Sequence, residues 1–196
     1  MANQDTPNGL TCIKMTREPQ WYGSDASKAN PIGIGDPVTQ EADGNVILAT
    51  AGVEILGVAI GFRTSALGYV KNSDGKILNY LPAATAGEVL VIDDIEAEFV
   101  IQTDGYTTST TPVSKAAEGT NMDGTSTTCD TTTGRSRIEL DADGNSYSGA
   151  ETNSRQFRIL GLYKEPNNNY VATSDGQWTK LVVRINEHMQ RDTTGI

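Results

Sequence analysis

Strict alternation of large and small apolar residues restricts the fold of this chain more than any other feature. Over residues 56–62 every second position is large and apolar: Leu56, Val58, Ile60 and Phe62. The positions between them hold Gly57, Ala59 and Gly61. This period of two predicts a β-strand whose large face enters a core. Its small face would let another layer or another chain approach closely.

Further strands are predicted on both sides of this segment. The β pattern begins at Asp36, and strand signals recur at 88–92, 98–103, 137–141 and 180–185. Residues 88–92 form a continuous apolar run, which suits a strand covered on both faces. The only helix that we expect is a short one over 113–118, which Gly119 would end. Strands at these spacings are typical of a barrel or a sandwich.

Asp-Gly pairs predict where the chain reverses. They occur at 43–44, 74–75, 104–105, 123–124, 143–144 and 175–176. Because Asp tolerates and Gly favours positive φ, the pair suits tight turns between paired strands. Several such turns indicate a mainly β, antiparallel fold.

The charge and composition of the chain limit the classes of partner that it is expected to bind. The net charge is −10, and no run of Lys or Arg offsets it, so we expect no nucleic-acid partner. No apolar stretch reaches the roughly 18 residues of a membrane helix, so no membrane partner is expected either. Residues 1–10 are polar and lack a secretory signal, which favours folding in a cytoplasm. At 37%, the hydrophobic fraction lies below the roughly 45–50% of ordinary domains, so much of the chain should lie at surfaces or contacts.

Two segments have little to bury. Residues 1–11 predict either an extended arm that orders on a neighbouring subunit or a disordered terminus. Residues 103–134 contain twelve Thr among 32 residues and predict an exposed loop, with a clasp on a neighbour as the alternative. We therefore divide the chain into an arm over 1–20 and a single β domain over 21–196, with a Thr-rich insertion at about 103–134.

The residues that carry chemistry do not form a catalytic set in the sequence, and we expect no enzyme. His188 is the single histidine and is interpreted as a polar residue near an edge or a subunit contact. Asp93 and Asp94, with nearby glutamates, could be a glycosidase pair, but a solvated turn is the favoured interpretation. Cys12 and Cys129 are interpreted as free thiols rather than a disulfide or a metal pair.

One segment has the spacing of a calcium loop. Asp141, Asp143 and Asn145 place oxygen ligands at alternate positions, with Glu151 further along. Ser146 and Thr152 occupy the positions where an EF-hand needs Gly and Glu. A plain turn is therefore preferred, and we expect no metal, no cofactor and no small-molecule substrate.

Several short motifs occur together in a recognisable order. They are Gly35–Val38, Leu56–Phe62, Tyr80–Ala83, Val91–Asp94, Phe99–Gln102, Phe157–Leu162 and Val182–His188. In this order the chain, over about residues 30–190, resembles the decoration (cement) proteins that stabilise the heads of tailed bacteriophages. A phage fibre or receptor-binding β domain is the alternative.

The resemblance implies a β-barrel or tulip-like fold and homotrimers at three-fold and quasi-three-fold axes of the capsid. It implies the major capsid protein as partner and the outer capsid surface of the virion as location. Residues 3–10 would be the arm, with Asn3, Gln4 and Leu10 as contact candidates. Trp21 and Tyr22 are either contact residues, since aromatic side chains often anchor interfaces, or core residues.

Overall fold

The computed structural model describes residues 5–104, 113–125, 127–142, 155–170 and 178–191. Within these ranges the chain forms twelve β-strands and two 3-10 helices, the latter at Lys115–Ala117 and Met189–Arg191. No helix in the same ranges is long and apolar enough to cross a membrane. The fold is mainly β, as the sequence predicts.

The strands lie in two five-stranded sheets and one small ribbon. The first sheet has the order β1 (Thr11–Lys14), β9 (Glu98–Gln102), β12 (Lys180–Ile185), β11 (Phe157–Leu162) and β10 (Asn121–Met122). The second has the order β2 (Gln20–Ser24), β8 (Gly87–Ile92), β6 (Gly57–Arg63), β4 (Pro37–Gln40) and β5 (Val46–Leu48). The ribbon pairs β3 (Ile32–Gly33) with β7 (Tyr80–Leu81).

All paired strands are antiparallel, which confirms the prediction from the Asp-Gly turns. As far as the described ranges go, the strands form separate sheets, and no closed barrel is seen.

Two clusters of buried side chains form the core, and β6 contributes to both. Val58 packs in the first cluster, which lies largely on the first sheet, and Ala59 packs in the second. The predicted single large face of β6 is therefore wrong in part. Ala59 pairs with Val91 while Gly61 pairs with Leu90, so Ile60 is an extra residue in a β-bulge. The bulge moves Phe62 to the face of Ala59 and into the second cluster.

Of the three Asp-Gly pairs that the structure describes fully, two form turns and one does not. Gly44 and Gly75 have φ of 87° and 79° and close turns, the first between β4 and β5. Gly124 instead makes a bridge to Leu140 and ends no hairpin. At least one residue of each of the pairs 104–105, 143–144 and 175–176 lies outside the described residues.

The Thr-rich segment is more than an exposed loop. Val113, Ala117 and Met122 are buried in the first cluster, and β10 adds a strand to the first sheet. The predicted short helix is present as one 3-10 turn, with the Ser114 side chain accepting a bond from the Ala116 N–H. The 137–141 strand is reduced to bridges from Leu140 to Thr103 and Gly124. Residues 105–112 and 126 lie outside the described residues.

The described part of the predicted arm over 1–20 is joined to the domain. Leu10 is buried in the first cluster, and its N–H donates to the Gly35 carbonyl at 2.9 Å. β1 then pairs with β9. The sequence offers Leu10 as the first large apolar residue after a polar start, so burying it gains hydrophobic free energy that a detached arm would forgo.

Candidate interaction surface

The N-terminal segment forms an outer edge of each large sheet. β1 is the last strand of the first sheet and β2 the last strand of the second, and five residues join them. In the described ranges the outer side of β1 pairs with no other strand, whereas β2 lies close to β5, with Gly23 beside Asn45. Open edges of this kind can pair with another chain.

Three apolar side chains are exposed on this segment: Ile13 (44% exposed), Met15 (49%) and Trp21 (39%). A groove beside β1 is lined by Ile13, Val100 and Tyr163, among others. We call Ile13, Met15 and Trp21, together with the outer edge of β1, the edge surface. Sequence analysis missed Ile13 and Met15, although isolated apolar residues in a polar segment were the available signal.

Trp21 is held in place without being buried. The Arg63 guanidinium lies 4.0 Å from the centroid of its ring, in a cation–π contact. Arg63 also pairs with Glu88, directly across from it on β8. A fixed, half-exposed indole is the kind of side chain that anchors interfaces. The contact interpretation of Trp21 stays a prediction.

Tyr22 follows the core interpretation instead. Its side chain packs against the second cluster, and its hydroxyl donates to Asp93 Oδ2 at 2.6 Å. Burial, and then the hydrogen bond and negative charge of Asp93, raise the pKa of Tyr22 to about 12. The phenol therefore stays neutral and fastens β2 to the turn after β8.

Asp94 is buried and organises the link between β1 and β2. Its Oδ2 accepts from the Thr16 N–H, from the Thr16 hydroxyl at 2.9 Å and from the Arg17 N–H at 3.1 Å. Its Oδ1 accepts from the Glu96 N–H at 2.9 Å. Burial acts to raise the pKa of Asp94, but these hydrogen bonds outweigh it, so the pKa lies below its ordinary value.

Asp93 joins both ends of the described chain. Arg17 forms an ion pair with it at 2.6 Å, and the Gln190 side-chain amide donates to it at 3.3 Å. Burial acts to raise the pKa of Asp93, and the bonds from Tyr22 and Arg17 lower it further than burial raises it. The predicted solvated turn at Asp93 and Asp94 is therefore wrong: both carboxylates are buried, and their role here is to hold other segments.

His188 is buried as well, rather than at an edge. It bridges to Ile55 in parallel, and the Ile55 N–H donates to the neighbouring Glu187 carbonyl at 2.8 Å. Burial, and then the positive charge of Arg191, lower the pKa of His188 to about 4. Its imidazole is therefore neutral near pH 7.

Residues 5 and 6 are fastened to the end of β9. The Thr6 N–H donates to Gln102 Oε1 at 3.1 Å, and Gln102 Nε2 donates to Glu139 at 2.9 Å and to Asp5 at 3.3 Å. Burial, together with the charges of Asp5 and Asp104, raises the pKa of Glu139 to about 7 against the effect of the Gln102 bond. The start of the described chain thus lies beside a carboxyl group that can be protonated near neutral pH.

The remaining predicted site residues are not brought together. Asn3, Gln4, Asp143 and Asn145 lie outside the described residues, and Asp141 is within them. Over the described ranges no group of three or more His, Cys, Asp or Glu side chains is placed to hold a metal ion. Cys12 and Cys129 are both free thiols. Leu10, a predicted contact residue, is in the core.

Comparison with known proteins gives little further information. No family model matches the chain, and no curated protein matches it. The crystal structure of the C-terminal fragment of bacteriophage phi29 gene product 12 is 14% identical to it and has a TM-score of 0.34. That alignment covers 86% of this chain and 99% of the fragment. A likeness with so low a TM-score carries no argument about function.

Proposed function

We propose that this chain is a non-enzymatic structural protein of a tailed bacteriophage that coats the outside of the capsid and stabilises it. It binds the major capsid protein lattice as homotrimers at three-fold and quasi-three-fold axes. The resemblance in motif order motivates this role. The edge surface is the single structural observation that supports it most, because it offers apolar side chains and an open strand edge to a neighbouring protein.

The buried motifs are consistent with a scaffold rather than a catalytic centre. Asp36, in the Gly35–Val38 motif, accepts the Gly33 N–H at 2.7 Å inside the fold. Asp93 and Asp94, in a second motif, hold the link that carries Met15 between β1 and β2. Asp93 and Asp94 hold this link in position, and a rigid surface loses less entropy on binding.

Assembly on a lattice would favour such a surface. The three side chains are too few for a tight contact by themselves, since specific interfaces bury about 1,200–2,000 Å² in total. A trimer that touches several capsid subunits makes its later contacts at high effective concentration. Modest contacts from each copy can then give stable decoration.

Binding to expanded, undecorated capsids of the cognate phage tests the proposal. We expect saturable binding at a fixed ratio, with hundreds of copies per particle. A triple variant, Ile13→Ser, Met15→Ser and Trp21→Ser, should bind at least about tenfold more weakly, because anchor residues of an interface each contribute on the order of 1–2 kcal/mol or more. Leu160→Ser serves as the control, since Leu160 is an exposed apolar residue on β11, away from the edge surface.

Unchanged binding of the triple variant would remove the edge surface from the proposal. No binding of the wild-type protein to its own heads would reject the function itself. A count of a few dozen copies or fewer per virion would favour the fibre or receptor-binding alternative.

A further inference from the structure

A second group of exposed apolar side chains lies on a hairpin between β6 and β7. The Leu78 N–H donates to the Val70 carbonyl at 2.9 Å, and the Asn72 N–H donates to the Lys76 carbonyl at 3.0 Å. Lys71 and Ile77 face each other as an antiparallel bridge. Residues 70–78 are thus a short hairpin, closed by the turn at Asp74-Gly75.

The two faces of this hairpin differ in environment. Val70 is buried in the second cluster, and Leu78 packs against that cluster. Because alternate residues point to opposite faces, Tyr69, Lys71 and Ile77 share the other face. Tyr69 is 70% exposed and Ile77 is 50% exposed. The hairpin is therefore fixed to the core on one side and presents an aromatic and an aliphatic side chain on the other.

Leu67, in the turn before the hairpin, is a further exposed apolar residue, and its backbone conformation is unfavourable. Its φ is 61°, a left-handed conformation that L-residues other than Asn and Asp rarely adopt. Its side chain is 69% exposed, so burial within the chain gives no compensation. Glycine would fit this backbone without strain. A strained, exposed leucine is best explained by a contact that it makes with another molecule.

The hairpin is also locally basic in an acidic protein. Lys71 and Lys76 are exposed, and neither forms an ion pair with any residue that the structure describes. Asp74 is the single carboxylate in residues 64–79, while the whole chain has a net charge of −10. The positive charge of this hairpin therefore favours a partner surface that is acidic.

We propose that Leu67, Tyr69 and Ile77, with Lys71 and Lys76, form a second docking surface, here called the hairpin surface. It binds an acidic, partly apolar patch on the capsid shell, an inference that rests on the proposed function. A second copy of this chain, which is itself acidic, is the alternative occupant, and the mass of the charge-reversed variant in solution distinguishes the two.

The binding of a charge-reversed variant to expanded heads tests the hairpin surface. The variant Lys71→Glu/Lys76→Glu should bind at least about tenfold more weakly at low salt and depend less on salt than the wild type, because complementary charges are screened. The matched control is Lys115→Glu/Lys164→Glu, which changes the net charge by the same amount at two other exposed lysines. It should bind nearly as the wild type does.

The variant Leu67→Gly distinguishes an effect on binding from an effect on stability. Because glycine relieves the positive φ, the variant should melt at the same temperature as the wild type or higher, and yet bind heads more weakly. Tighter or equal binding by this variant would overturn the inference.

The other outcomes are distinguishable. If both charge-reversed pairs weaken binding equally, the effect is one of overall charge and the hairpin surface is rejected, while the proposed function stands. If Lys71→Glu/Lys76→Glu instead changes the mass of the free protein in solution, the occupant is a second copy and the inference is wrong. If the wild type does not bind heads, the proposed function fails and this inference fails with it.

Discussion

At the scale of single residues, two buried carboxylates respond to pH in opposite directions. Asp36 is fully buried; burial raises its pKa to about 6, against the effect of bonds from Ser136 and the Gly33 N–H. Asp94 is almost as buried, but its four hydrogen bonds hold its pKa below the ordinary value. A raised carboxyl pKa favours the neutral acid in the folded state, whereas a lowered one favours the charged form.

Asp36→Asn should remove a pH-dependent loss of stability. In the wild-type protein the contribution of Asp36 to stability falls as the pH rises from about 4 to above 6, because folding then requires a buried charge. A difference of about two pKa units corresponds to about 3 kcal/mol, and Asn retains an acceptor for the Gly33 N–H. We therefore expect the free energy of unfolding of the variant, relative to wild type, to rise by up to that amount across this pH range.

Urea denaturation at several pH values measures this difference. Asp43→Asn, in the exposed turn between β4 and β5, is the matched control for an Asp-to-Asn change. A constant offset between Asp36→Asn and wild type across the range would contradict the prediction.

Asp94→Ala should destabilise the protein by about 2 kcal/mol near pH 7, because it removes the charged acceptor of N–H groups in the β1–β2 link and of the Glu96 N–H. The contribution of Asp94 is complete above its unfolded pKa of about 4 and is lost as the pH falls through its lower folded value. The penalty should therefore shrink in acid. Thermal unfolding of Glu96→Ala gives the comparison, since this exposed partner of Arg184 should matter by less than about 1 kcal/mol.

At the scale of elements, two glycines of β6 are alike in sequence but differ in space. A Cβ on Gly57 would lie 2.2 Å from the Ile92 carbonyl oxygen, a backbone atom that cannot move aside easily. A Cβ on Gly61 would lie 3.5 Å from Leu90 Cβ, an ordinary contact. A close approach is thus found at Gly57 and not at Gly61, and it is made by β8 of the same sheet rather than by another layer or chain.

Gly57→Ala should lower the free energy of unfolding by at least about 2 kcal/mol, since overpacking against backbone is relieved only by moving a strand. Gly61→Ala should change it by less than about 1 kcal/mol in either direction. Chemical denaturation of both variants tests the pair. Equal losses would mean that the effect comes from glycine replacement in general and not from the contact with Ile92.

Alternation and turn residues in the sequence predicted β4, β6, β8, β9 and β12, because local pattern decides which face of a strand is buried. They did not predict the bulge at Ile60, which depends on pairing with Val91 and Leu90. The burial of Asp93 and Asp94 was missed for a similar reason: their partners Thr16, Arg17 and Gln190 are remote in sequence. The exposure of Leu67 and Tyr69 also depends on which hairpin face meets the core.

At the scale of the whole molecule, the two large sheets share core residues through β6 and β8. Val58 and Ile92 pack in the first cluster, while Ala59 and Val91 pack in the second. Loss of either sheet would therefore expose apolar surface of the other. The single β domain predicted for residues 21–196 stays a prediction, and it implies one cooperative unfolding transition.

The two tryptophans allow a test of this cooperativity. Trp21 lies on β2 of the second sheet, and Trp178 lies two residues before β12 of the first. In the single-tryptophan variants Trp21→Phe and Trp178→Phe, fluorescence follows one sheet at a time. We expect each fluorescence midpoint in urea to coincide with the midpoint from circular dichroism of the same variant. A separation of the two signals within one variant would show that the sheets unfold independently.

The order of strands in the two sheets also bears on synthesis of the chain. Every strand of the second sheet comes from residues 20–92, so all of them are synthesised before β9. The first sheet instead places β12, residues 180–185, between β9 and β11. The first sheet therefore lacks this inner strand until residues 180–185 have emerged from the ribosome, and a nascent chain is expected to carry one paired sheet and one incomplete sheet until then.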